Sequence, residues 1–393
     1  MLEIKKRGKK IIKEKDNLLW SSETERNFEK RENSLGEGNS MNKNLLKQTL
    51  FTVAYYNALG YYPTSFFIWK NLIDLSSQGK QASFLEVVGV ISKLVRQEKI
   101  VVENGMHKIV ESQKSKVESR KWKVESRKWK VESEKSSAQD GLIKNWKVGR
   151  EDFNWYKTQI QKNKISTEKI KKARMFARAS RWVPYLRGIL LTGTLAMKRG
   201  GNNSDWDVMV VLKKNRIWLG RFFISGWFQL IGKRRHGKKI NNRFCLNQFV
   251  VDGKLKFTEH NEFFGNELIA SENLMEDEIL YNKIMDKNKK WLRLFRPNFK
   301  NRQFVRKEKN DKINNLLKFV QVKLENILEV FDLAEMMNGV AKKIMIYKIA
   351  KNPKTYEEGA DIRYSDFFLV FLPRPQRETV RRLTFKLLTK INL

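Results

Sequence analysis

The chain has 393 residues, a length that two or three domains fill better than one, and its 80 lysines and arginines against 43 acidic residues give a net charge of +37 at pH 7. That excess attracts polyanions such as nucleic acid or nucleotide phosphates, although the basic residues are scattered along the whole chain. The single cysteine, Cys245, excludes a disulfide framework or a cysteine-built metal site within one chain, and the absence of a secretory leader or a run of ~20 apolar residues predicts a soluble cytoplasmic protein with no membrane partner.

Residues 1–40 mix charge with Ser, Gly and Asn and show no apolar period, which predicts a disordered tail. Leu45 to Leu59 repeats at helical spacing and Gly60 follows where a C-cap glycine stands. A second short helix is expected from Tyr62-Pro63-Thr64 through Leu72. Ser83-Phe84-Leu85-Glu86 reads as a capping box for a third helix reaching about Gln97. Ile100 to Val110 holds two β-rich runs around Asn104-Gly105, a pair suited to a tight hairpin.

Three helices and a hairpin over about residues 43–110 resemble a winged helix, and 41–112 is taken as that domain. Its third helix would read DNA only through basic or amide side chains on the exposed face. That face offers the mixed set Glu86, Ser92, Lys93, Arg96 and Gln97, while its apolar residues are numerous enough to cover more than one face. DNA reading, protein contact and a structural role all stay open.

Residues 113–150 form a charged linker in which Lys-Val-Glu-Ser-Arg-Lys-Trp repeats at a period of seven. Val117 and Trp122 lie five apart and Trp122 and Val124 two apart, so the seam of a coiled coil is missing.

A core is expected over 151–265. A helical stretch from about Glu168 to Arg181 precedes the apolar strand Gly188 to Thr192, which runs into Gly193-Thr194. After a spacer ending in Ser204, Asp205-Trp206-Asp207 opens a second apolar strand through Leu212. Residues i and i+2 of a strand share a face roughly 6.6 Å apart, so Asp205 and Asp207 can converge on bound metal. Gly193 admits close backbone approach to phosphate, and Thr194 offers a hydroxyl and an amide. Lys198 and Arg199 add cations on a Gly-rich segment that could clamp terminal phosphates, or stand solvated.

This pattern resembles the DNA polymerase beta-type nucleotidyltransferase superfamily, with Thr194 in place of the usual Ser or Gly and Trp206 in place of an aliphatic residue. The resemblance implies a mixed-sheet α/β core and Mg2+-dependent transfer of a nucleoside monophosphate from NTP to a hydroxyl-type acceptor, with release of pyrophosphate. Asp205 and Asp207 would be the catalytic metal ligands of a two-metal site, and Gly193, Thr194, Ser204, Lys198 and Arg199 would bind nucleotide. The family's third carboxylate lies on a neighbouring strand. The candidate strand, Arg243 to Val251, carries Asn247 and Gln248 but no acid; Asp252, Glu259 and Glu262 follow it.

Arg216 to Leu230 reads as an aromatic-rich helix. Lys233 to Lys239 reads as a basic loop suited to acceptor phosphate or nucleic acid, or as a solvated turn, with His236 on the surface. Residues 266–393 are expected to be a helical C-terminal region that includes one short buried run, Asp366 to Pro373. The whole reads as a multidomain α+β protein: winged helix-like N-terminal domain, nucleotidyltransferase core and C-terminal helices that hold the acceptor, nucleic acid or protein. The rival is a nucleic-acid-binding winged-helix regulator on a transferase fold that has lost its chemistry.

Overall fold

The structure, a computed structural model, describes residues 40–76, 78–110, 155–299, 312–372 and 376–391. The expected tail up to residue 39 and the whole of the repeat linker 113–150 lie outside these residues. Among the described residues no helix is long and apolar enough to cross a membrane.

The chain is α+β. Helices α1 (Ser40–Ala58), α2 (Ser65–Lys70) and α3 (Phe84–Arg96) precede the antiparallel hairpin β1 (Ile100–Glu103) and β2 (Met106–Ile109). The expected caps are present. Gly60 has φ +69°, open to glycine at little cost, and Ser83 and Glu86 bond each other's backbone amides at the head of α3. The surplus of apolar residues on α3 divides: Val87, Val90, Ile91 and Leu94 are buried, whereas Phe84, Leu85 and Val95 are exposed.

The second body is built on a mixed six-stranded sheet in the order β6-β3-β4-β5-β8-β7. Helix α4 (Trp155–Ala179) leads into β3 (Leu186–Leu191), the single turn α5 (Gly193–Ala196), β4 (Trp206–Leu212), α6 (Ile217–Leu230) and β5 (Phe244–Val251). β3 and β4 are antiparallel and β4 and β5 parallel. A parallel pair needs a crossover, and α6 supplies it. Then come α7 (Glu262–Ala270), β6 (Glu272–Asn273), α8 (Glu278–Phe295), α9 (Lys312–Glu329), a 3-10 turn (Val330–Asp332) and α10 (Leu333–Lys351).

Residues 266–393 differ from a purely helical region, because β7 (Asp361–Tyr364) and β8 (Phe368–Leu372) form a hairpin that pairs with β5 and extends the sheet. Leu369, fully buried, anchors it. The last helix, α11 (Arg377–Thr389), returns to the N-terminal body: Val380 and Leu388 share a core with Leu50, Val53 and Ala54 of α1.

Alternation along β4 sorts the sheet into two faces. Trp206, Val208, Val210 and Leu212 point into the core shared with α4 and α6, while Met209 and Val211 point into the core shared with α7 and α8. Trp206 is wholly buried, its ring 4.8 Å from Phe244 and 5.9 Å from Phe176. An aromatic is therefore accommodated between the two aspartates because that side of the strand is core. Asp207 falls on the opposite face, toward α7 and α8.

Candidate active site

Two strand pairings, one antiparallel and one parallel, bring the site together. Antiparallel pairing of Leu191 with Val208 sets the end of β3 beside the start of β4, and the Thr192 amide donates to the Asp207 carbonyl at 2.9 Å. Parallel pairing sets Cys245 opposite Asp207, and a bulge in β5 follows at Asn247. One ligand atom from each of Asp205, Asp207 and Cys245 lies within 4.8 Å of the others. The lone cysteine thus lies against the two carboxylates, a placement that the cysteine count alone does not suggest.

The electrostatics of this cluster are unbalanced. Burial first, and then the neighbouring Asp205, push the Asp207 carboxyl up to about 7 against the opposing pull of Cys245 and Arg235. Asn247 donates to Asp207 at 3.1 Å, and Arg235 pairs with Asp205 at 2.5 Å. Burial and the two aspartates push the Cys245 thiol up to about 12, so the sulfur is a neutral thiol at pH 7. The same Arg235 group donates to that sulfur at 3.4 Å. One guanidinium thus serves the whole group.

Gly193 stands over the pair. Its φ is +66°, and a Cβ there would lie 2.7 Å from Asp207 Oδ2. The backbone of the turn and the carboxylate are in direct contact, a spacing that any side chain would break.

A carboxylate that sequence patterning did not single out lies on the same side of the sheet. Glu267 belongs to α7, the helix that covers the Asp207 face of β4 and packs against α5. It keeps some surface open to solvent. Burial and then Asp207 push it up to about 8, with Arg199 pulling the other way. The acids weighed from sequence are engaged elsewhere. Asp252 follows the far end of β5, accepting from the Lys214 amide at 3.0 Å, and Glu259 pairs with Arg363 at 2.5 Å and Arg377 at 3.6 Å. Glu262 sits in the first turn of α7.

The other expected residues divide. Thr194 is half-buried in α5, one residue from Gly193. Ser204 turns its hydroxyl to the Gly201 amide at 2.9 Å, closing the spacer, and its carbonyl accepts from Lys169 Nζ at 2.8 Å. Lys198 pairs with Glu272 at 2.8 Å. Arg199 turns away from the aspartates and donates to the Leu59 carbonyl of the N-terminal body, where burial lowers its pKa. Lys169 of α4, near Asp205, is likewise lowered by burial, with Asp205 opposing. Arg235 comes from the basic loop, whose neighbour His236 is exposed. No signal in the sequence separates it from the other cations of that run.

No family model, curated protein or solved structure matches the chain.

Proposed function

We propose that the chain is a metal-dependent nucleotidyltransferase that moves a nucleoside monophosphate from NTP to a hydroxyl-type acceptor. The observation that carries this reading is the buried, under-compensated Asp207 beside Asp205, pressed against the backbone of Gly193. Two hard carboxylates short of positive charge suit a divalent cation such as Mg2+, and Asp205, Asp207 and, across the same sheet face, Glu267 would hold it. Bound there, the ions would neutralise the triphosphate and stabilise the attacking and leaving oxygens.

The residues of the chain then have separable tasks. The backbone of Gly193 and the amide and hydroxyl of Thr194 would donate to oxygens of the triphosphate, and a side chain at 193 would collide with Asp207. Arg235, on a loop, can exchange Asp205 for a phosphate oxygen, and a guanidinium meets phosphate in a bidentate fork. Glu267 is the third acid: above its midpoint of about 8, or once a bound cation beside it lowers that midpoint, its carboxylate oxygen can take the acceptor's proton, as a base poised close to the working pH should. Lys198 reaches a phosphate only by leaving Glu272. Arg199 ties the core to the N-terminal body.

We further read that N-terminal body as winged helix-like and as the place that holds a macromolecular acceptor. Leu85 is 79% exposed in the first turn of α3, and the exposed Lys93 and Arg96 lie about two and three turns further along the same helix, a mixture that favours a protein over base edges. A second reading, a nucleic-acid-binding regulator without turnover, draws on two features: Arg235 already neutralises Asp205, and a cysteine stands opposite Asp207.

Labelled NTPs, Mg2+ and cell extract separate the two. The transferase reading predicts labelled product and pyrophosphate from the full chain, loss to background in Asp205→Ala and Asp207→Ala, and a large fall in kcat for Glu267→Gln. No turnover, with salt-dependent nucleic-acid binding that survives both aspartate changes, would select the regulator.

A further inference from the structure

Helix α9 is turned inside out relative to an ordinary surface helix. Its buried side chains are Gln321 and Glu325. Gln321 donates to the carbonyls of Val183 and Leu186, both at 2.7 Å, and Glu325 accepts from Arg187 at 2.8 Å and from the Tyr185 amide at 2.7 Å. Much of its apolar surface faces outward: Ile313, Leu316 and Ile327 are 68%, 61% and 65% exposed and Val320 and Leu324 between them are half-buried, while Leu317 and Leu328 lie on the inner side, Leu328 against the core of Tyr185, Leu219 and Ala334. These positions step by three or four along one stripe. A surface helix places such a stripe on the core.

Helix α10, joined to α9 by one 3-10 turn and packed on it, repeats the arrangement. Its inner face lies on α6 through Ala334 and Ala341, and Asn338 accepts from the Leu219 amide. Its outer face shows Met336, Val340, Ile344 and Tyr347, 50–63% exposed, again three or four apart. At roughly 100 Å² apiece the exposed side chains named on the two helices amount to about 700–800 Å². That exceeds the largest patch of a typical monomer and approaches the ~800 Å² each partner gives to a stable interface.

We propose that two copies of this chain pair through α9 and α10, burying the stripes in a four-helix bundle about a two-fold axis. Area is one argument and charge is the other. The turn end of the hairpin carries Glu329, Asp332 and Glu335, which outnumber the Lys213 and Arg216 paired with them. The open ends carry Lys312 and Lys318 on α9 and Lys348 and Lys351 on α10. An isologous antiparallel contact sets each acidic turn beside the partner's basic ends, whereas a parallel one opposes like charges. This inference stands apart from the transferase reading.

Equilibrium sedimentation of the full chain at micromolar concentration and moderate salt should return twice the 46.6 kDa of the monomer. Leu316→Glu and Ile344→Glu change exposed side chains, so the fold should keep its far-ultraviolet circular dichroism while the dimer dissociation constant rises at least a hundredfold. Ile279→Glu, equally exposed but on α8, should leave the dimer intact. A monomeric wild-type chain overturns the proposal, as does a dimer that tolerates both substitutions. So would a monomer that sediments with anionic phospholipid vesicles and loses that binding in the same two variants, which would assign the stripes to a membrane surface.

Discussion

At the scale of single residues, the contact between Gly193 and Asp207 is the tightest constraint in the site. Gly193→Ala would place a methyl 2.7 Å from Asp207 Oδ2 at a φ of +66°, so the carboxylate or the turn must shift. The expected cost is about 1–2 kcal/mol of stability, read from urea midpoints, together with weakened metal binding. Equal stability and equal binding would mean that the turn is looser than the geometry has it.

The two raised acids also set a pH dependence. Asp207 and Glu267 titrate at about 7 and about 8 in the folded chain and near ordinary carboxylate values when unfolded. The folded chain therefore binds more protons across that interval. Its stability from these groups is full below about pH 4 and is lost as pH rises through 7 and 8. Metal-free protein should thus melt lower at pH 8 than at pH 6, and Asp207→Asn should flatten that decline by about 1.4 kcal/mol, the equivalent of the one pK unit between pH 6 and the Asp207 midpoint. A decline identical in the variant would remove Asp207 as its source.

Among the site residues, Asp205, Asp207 and Gly193 were legible because they lie in one short motif whose spacing carries the chemistry. Glu267 and Arg235 were not. Glu267 sits in a helix whose sequence shows no reason for a buried acid, and only the packing of α7 over the Asp207 face brings it near. Arg199 and Lys198 read as equal phosphate clamps, but a guanidinium within reach of the Leu59 carbonyl is captured by the N-terminal body.

At the scale of elements, local signals carried the N-terminal helices, the capping box, the hairpin and the strands flanking the aspartates, since each rests on residues a few positions apart. The β7–β8 hairpin escaped because Asp361–Tyr364 is only four residues long, so its single polar–apolar alternation is too short to stand out and its strand character comes from pairing with β8. The polarity of α9 also has no local signature, for an amphipathic stripe predicts burial and here meets solvent. Glu325 holds that helix in place by accepting from the Arg187 guanidinium and the Tyr185 amide. Glu325→Ala leaves both donors without their acceptor and should cost about 3–5 kcal/mol, the range for breaking one side of a buried pair. Glu325→Gln, which keeps an acceptor, should cost less. A loss under 1 kcal/mol for alanine, measured by chemical denaturation, would show that α9 is held by other contacts.

At the scale of the molecule, the two bodies are stitched rather than merely strung together. Tyr56 donates to Asn266 of α7, Asn298 donates to the Trp69 carbonyl at 2.8 Å, and α11 closes the core of α1. Such returns of the chain are invisible to a reading that moves along it. Removing residues 376–393 should strip Val380, Leu388 and their neighbours from α1, at about 1.5–3 kcal/mol per buried side chain. Hydrogen exchange in α1 should then rise steeply while β3 to β5 stay protected. Unchanged protection of α1 would mean that the N-terminal body is stable without α11.

Helix α7 carries both Asn266, which bonds the N-terminal body, and Glu267, whose carboxyl is pushed up by burial and by Asp207. An acceptor held by that body would lie next to the helix that completes the site. The transferase reading requires that Asp205 and Asp207 bind a metal triphosphate. Calorimetric titration of a non-hydrolysable NTP analogue into the full chain, with Mg2+ and with chelator, tests it most directly. The account predicts binding that requires Mg2+ and that weakens at least tenfold in Asp207→Asn. Binding that is indifferent to Mg2+ and to that substitution would contradict it.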